Sequence, residues 1–155
     1  MSEPFTPRGL YFEEFQVGQV VVTAGRTITE SDVVAFAGLS GDYNQIHTDA
    51  AFASQGMFGQ RVAHGLLGLS VASGLLAQRG FIEGTVLAFR EIKSWKFSLP
   101  IFMGDTIHAE ATVTGLKPMR RLGGGAVTLT VKIINQDGKV TQRGEWVALL
   151  AGKPE

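Results

Sequence analysis

His64-Gly65-Leu66-Leu67-Gly68-Leu69-Ser70-Val71-Ala72-Ser73-Gly74-Leu75-Leu76-Ala77-Gln78 is apolar or small on every helical face. Such a helix is expected to be buried all round. Leu and Ala outnumber β-branched residues, which argues against a buried strand. Gly68, Ser70, Ser73 and Gly74 would let another backbone come close. The uncharged run from Gly65 to Gln78 is 14 residues, short of the ~20 that span a bilayer. It reads as a core helix.

The chain beyond this helix is strand-like. Thr85 to Leu99 is a long candidate. Ile107, Ala109, Ala111 and Val113 alternate with Thr106, His108, Glu110 and Thr112, and Val127, Leu129, Val131 and Ile133 alternate with Thr128, Thr130 and Lys132. Period two marks a half-buried strand. A fourth candidate runs from Val140 to Leu150. Asn135-Gln136-Asp137-Gly138 is a hairpin turn, and Lys117 to Gly125 a looser one. Upstream, Gln19 to Ile28 reads as a first strand. Thr29 caps a helix whose apolar face is Val33, Val34, Phe36, Ala37 and Leu39. Thr48 to Phe52 makes one further helical turn. The sum is an α+β chain: one antiparallel sheet of about five strands wrapped around a central hydrophobic helix. Without repeat or linker, residues 1–155 read as a single domain.

Composition narrows the function. Fourteen Lys+Arg balance fourteen Asp+Glu, and no basic block offers the many phosphate contacts a nucleic-acid binder needs. The absence of cysteine excludes disulfides, thiolate zinc sites and a Cys nucleophile. The polar stretch Met1 to Arg8 lacks the apolar core of a signal peptide. With no membrane span either, a cytoplasmic location is expected. Twenty glycines in 155 residues exceed the roughly 7% average, so particular positions should require them.

Three histidines are present: His47, His64 and His108. His108 lies on the polar phase of a strand and is expected at the surface. Asp42 and His47 flank a loop, Ser40-Gly41-Asp42-Tyr43-Asn44-Gln45-Ile46-His47, where a carboxylate and an imidazole could share one water. Equally, Asp42 could cap a turn and His47 be merely half-buried. At Arg61-Val62-Ala63-His64-Gly65, the Gly65 N–H would be an orphan donor at the positive helix end, suited to a carbonyl that gains negative charge. The competing reading is a glycine needed only for packing. Gly68-Leu69-Ser70-Val71-Ala72 lacks the last glycine of a nucleophile elbow. Gly123-Gly124-Gly125 precedes no helix, and no local spacing suits a metal. Lys117, Arg120 and Arg121 form a basic cluster that is either solvated or available to the phosphates of a soluble substrate.

Three blocks together carry a resemblance: Gly41-Asp42-Tyr43-Asn44-Gln45-Ile46-His47, Arg61-Val62-Ala63-His64-Gly65, and Trp95-Lys96-Phe97-Ser98-Leu99-Pro100-Ile101-Phe102-Met103-Gly104-Asp105-Thr106. Over about Tyr11 to Leu150 the chain resembles the MaoC-like acyl dehydratase family, which has the hotdog fold and includes R-specific enoyl-CoA hydratases. The resemblance implies that Asp42 and His47 are the catalytic pair and that Gly65 holds the thioester carbonyl. It implies substrate-binding roles for Asn44, Arg61, His64 and Ser73. It further implies an acyl-CoA substrate with no separate cofactor and no metal, and a homodimer or higher homo-oligomer whose hotdogs pair edge to edge. One departure stands out: the family has Asn-Pro where this chain has Asn44-Gln45. A hotdog thioesterase and a non-catalytic acyl-CoA-binding subunit are the alternatives, and retention of both Asp42 and His47 argues against the second.

Overall fold

Alternation in the second half of the chain becomes four long antiparallel strands: β3 (Val86–Phe97), β4 (Thr106–Met119), β5 (Gly124–Ile134) and β6 (Val140–Ala151). The computed structural model describes residues 1–2, 4 and 8–155. Glu3, Phe5, Thr6 and Pro7, part of the polar N-terminal stretch, lie outside them. Two short strands, β1 (Val20–Val22) and β2 (Arg26–Thr27), precede α1 (Glu30–Ser40), α2 (Gln45–Thr48), α3 (Ala50–Ser54) and α4 (Gly65–Ala77). The sheet order is β1-β4-β5-β6-β3, with β2 also paired to β4.

The expected first strand is therefore two pieces. Thr23 is the reason: its hydroxyl accepts the Ala109 N–H at 2.9 Å. That bond replaces a backbone rung, and the register on β4 shifts by one residue between Val22↔Glu110 and Arg26↔Ile107. The chain bulges there and resumes.

The sheet curls around α4, the hotdog arrangement. Ile107, Ala109, Ala111 and Val113 of β4 and Val127, Leu129, Val131 and Ile133 of β5 point inward and are buried with Leu67, Val71, Ala72, Leu75 and Leu76 of α4. Each such aliphatic side chain contributes about 1.5–3 kcal/mol by leaving water. The helix is not enclosed on all sides, however. Leu66, Ser70, Ser73, Gly74 and Ala77 form an open stripe, because the sheet covers one side and α1 only part of the other. Leu66 is 58% exposed. The serines on this stripe satisfy themselves within the helix, Ser70 donating to the Leu66 carbonyl and Ser73 to that of Ser70.

Of the glycines expected to allow close packing, Gly74 has no neighbour where a Cβ would sit, whereas Gly68 does. A Cβ on Gly68 would lie 2.6 Å from Gln142 Nε2 and 2.8 Å from Ile101 Cδ1. Gln142, 2% exposed, straps the start of α4 to the sheet. It donates to the Gly65 carbonyl and accepts from Trp95 Nε1, both at 3.1 Å. Gly68→Ala should therefore lower stability by about 1–3 kcal/mol through overpacking, partly offset by better helix propensity. A thermal melt should show a midpoint reduced by several degrees.

Candidate active site

The site is assembled from the end of α1, the short helix α2 and the start of α4. α1 terminates at Gly41, whose φ of +78° turns the chain sharply while its N–H caps the Ala37 carbonyl. Asp42 comes immediately after. Its Oδ1 accepts the Asn44 N–H at 3.1 Å, so the aspartate does hold a turn. The same bond fixes the carboxylate and leaves Oδ2 facing His47 Nε2 at 3.9 Å. The turn and the approach to His47 thus use different oxygens of Asp42. Asn44 caps α2 by accepting the Ile46 N–H, and one turn later α2 presents His47, which is 7% exposed.

Backbone carbonyls set the tautomers. His47 Nδ1 lies 2.7 Å from the Val62 carbonyl, which can only accept, so Nδ1 donates there and Nε2 is the nitrogen turned toward Asp42. His64 Nε2 lies 2.8 Å from the Asp42 carbonyl and must donate to it. Its ring stacks on His47 with centroids 3.8 Å apart, and Phe36 covers it at 4.9 Å. At 2% exposed, His64 sits behind the pair, holding both members, rather than on the substrate as expected.

One ligand-type atom from each of Asp42, His47 and His64 lies within 4.8 Å of the others. Local spacing could not reveal this trio. Zinc ligands at 2.0–2.2 Å from the ion stand roughly 3.4 Å apart, and two of the four ring nitrogens already serve carbonyls. As built, the set suits proton transfer better than a cation.

His47 and Gly65 line one cavity of about 650 Å³, together with Leu66, Phe97, Ser98 and Gln142. Among the described residues, the Gly65 N–H donates to no acceptor, as befits a first-turn donor. The space beside Gly65 is occupied by protein: a Cβ would meet the Phe97 ring at 2.7 Å. Packing against Phe97 therefore favours a glycine here, and the free N–H is a separate property.

Residues 14–135 match the family described as MaoC like domain. The chain belongs to the MaoC-like family. It is 36% identical over 143 residues to a Rhodospirillum rubrum protein named (R)-specific enoyl-CoA hydratase, covering 92% of this chain and 93% of that one. A solved structure described as a monoamine oxidase regulatory protein from Archaeoglobus fulgidus superposes with a TM-score of 0.89 at 35% identity, covering 95% and 97% of the two chains. The solved (R)-hydratase of Aeromonas caviae, involved in PHA biosynthesis, gives 0.75 at 34%, covering 92% and 99%.

The structure accounts for the departure from the MaoC-like Asn-Pro pattern. Gln45 is the first residue of α2, a position where proline is favoured because its missing N–H is not needed. Glutamine fits there without altering Asp42 or His47. Arg61 is not free for substrate: its guanidinium takes both oxygens of Glu30, at 2.6 and 2.8 Å. Ser73 lines a second, apolar cavity of about 290 Å³ with Leu76, Phe81, Phe89 and Trp146, apart from His47. His108, expected at the surface, is half-buried beside Glu110 at 3.5 Å. Sequence reading missed Val62, whose role is a carbonyl that any residue supplies. It also missed Gln142, although a polar residue in phase with Trp146, Ala148 and Leu150 on an inward strand face was a usable signal.

The Arg61 hydrogen bond, aided by its charge, holds the Glu30 carboxyl below the usual carboxylate range. A lowered native value means the pair stabilises the fold above the ordinary carboxylate range and is lost as pH falls through the native value. Glu30→Gln should thus lower the melting temperature slightly at neutral pH, and the difference from wild type should vanish under acid.

Proposed function

We propose that this protein is an enoyl-CoA hydratase/3-hydroxyacyl-CoA dehydratase, adding water across a trans-2-enoyl thioester to give the (R)-3-hydroxyacyl product. The observation that carries this is the 3.9 Å approach of His47 Nε2 to Asp42 Oδ2, a carboxylate and an imidazole aimed at one point, in a chain similar to a protein named for that reaction. A water about 2.8 Å from each donates one hydrogen bond to the carboxylate and one to the imidazole. Its oxygen adds at C3, the pair takes its proton, and a proton is returned to C2. The enolate-like oxygen formed meanwhile lies against the Gly65 N–H. Dehydration is the same path reversed. No metal or redox group enters this path, and coenzyme A belongs to the substrate.

The open edge strand β3, with Val86, Leu87, Phe89, Ile92 and Phe97 exposed, and the open stripe of α4 support pairing of two hotdogs. Ser73 and the apolar cavity it lines would then receive an acyl chain. Among the described residues no helix is long and apolar enough to cross a membrane.

The test is spectroscopic. The protein should remove the conjugated thioester absorbance of crotonyl-CoA or a longer trans-2-enoyl-CoA without releasing free thiol. Thiol release with the double bond intact would identify a thioesterase, and tight binding without turnover across the panel a non-catalytic subunit.

A further inference from the structure

We infer that the outer face of the sheet carries a phosphate-binding row, Lys96–Arg143–Lys132, that takes the phosphorylated nucleotide end of the coenzyme A thioester. Lys96 of β3 is the register partner of Arg143 of β6, and Arg143 that of Lys132 of β5. The three cations therefore stand side by side across adjacent strands, and Glu110 of β4 ends the row as the other register partner of Lys132. With strands about 4.8 Å apart, the row spans about 10 Å, room for two separate phosphate groups. Among the described residues none of the three is ion-paired to a carboxylate. Like charges directly opposite one another cost stability in a sheet. A chain with equal numbers of cations and anions has no general excess that would place three together.

Position supports the ligand. A groove lined by Ser94, Lys96, Ser98, Thr130, Arg143, Gly144 and Glu145 runs along this face, and Ser98 also lines the cavity that holds His47 and Gly65. The active-site cavity and this groove thus share Ser98, just past the end of β3, with Lys96 and Arg143 lining the groove and Lys132 next in the row. A bulge helps shape the groove: Ser94 has a φ of +51°, and the register slips between Lys93 and Lys96. Gly144 allows it, since a Cβ there would lie 2.6 Å from the Trp95 ring. Glu145, the one acid lining the groove, has Lys93 as its register partner. Three cations are too few for nucleic acid but match an adenosine diphosphate bearing a further phosphate.

This inference rests on the thioester reading of the site, so its test must separate the two. The variant K96Q/K132Q/R143Q should raise the KM for an enoyl-CoA at least tenfold at low salt, with a smaller change in kcat. The ratio of kcat/KM for the CoA thioester to that for its N-acetylcysteamine counterpart, which lacks phosphates, should fall by a similar factor. The salt dependence of KM should flatten. The charge-preserving K96R/K132R/R143K should recover most of the affinity, and circular dichroism should report the same fold for both. Calorimetric titration with free coenzyme A decides the matter if turnover is absent: weaker binding to the glutamine variant supports the row, and equal binding overturns it. It is likewise overturned if R120Q/R121Q, at the other basic cluster, produces the KM effect instead, or if only an acyl carrier protein thioester is affected.

Discussion

Asp42→Asn is expected to lower kcat/KM for enoyl-CoA hydration by about 10²–10⁴-fold, the range supplied by one general acid–base group. The substitution isolates chemistry from structure. The asparagine Oδ1 can still accept the Asn44 N–H, so the turn that Asp42 holds at 3.1 Å survives. The His64 bond to the residue 42 carbonyl is a backbone contact and survives as well. What disappears is the negative oxygen facing His47 Nε2. The thermal midpoint should therefore stay near that of wild type while stopped or continuous assays show the activity lost. An asparagine variant with wild-type turnover would remove Asp42 from the mechanism.

The second large effect is at His47, where two variants are needed. His47→Ala removes the base, but it also strips the Val62 carbonyl of its donor and the His64 ring of its stacking partner. An unsatisfied buried carbonyl costs about 1–3 kcal/mol, so inactivity could reflect a loosened site. In His47→Asn the amide nitrogen falls near the Nδ1 position and can keep the bond to Val62, which is 2.7 Å in the native protein. No lone pair then reaches the Nε2 position. The asparagine variant should melt closer to wild type than the alanine variant yet lose activity to the same degree. Combining Asp42→Asn with His47→Asn should cost little more than either alone, because two groups acting on one water fail as a unit.

The long strands β4 and β5 were legible almost residue by residue. One face of each is buried and the other is wet, and that asymmetry writes a period of two into the chain. The first strand was not, because the hydroxyl of Thr23 stands in for a backbone group and threonine in a strand signals nothing unusual. α4 was found, but Ser70, Ser73 and Gly74 read as packing residues when they face outward. Small size suits close contact and open surface alike. In the site, Asp42 and His47 were legible because they share one loop. His64 acts on Asp42 through a carbonyl 22 residues away, and Arg61 is claimed by a carboxylate 31 residues away. Pairings at that range are set by how α1 packs beside α4.

The open side of α4 and the bare edge of β3 have a consequence in solution. Leu66, Leu87, Phe89 and Phe97 are each about half exposed or more, an apolar belt that an isolated chain must leave wetted. Whatever covers it binds the native state alone and so adds stability by mass action. If a second copy of the chain does so, dilution becomes a variable: melting temperature and turnover per chain should both decline together as the protein concentration is lowered through the dissociation constant.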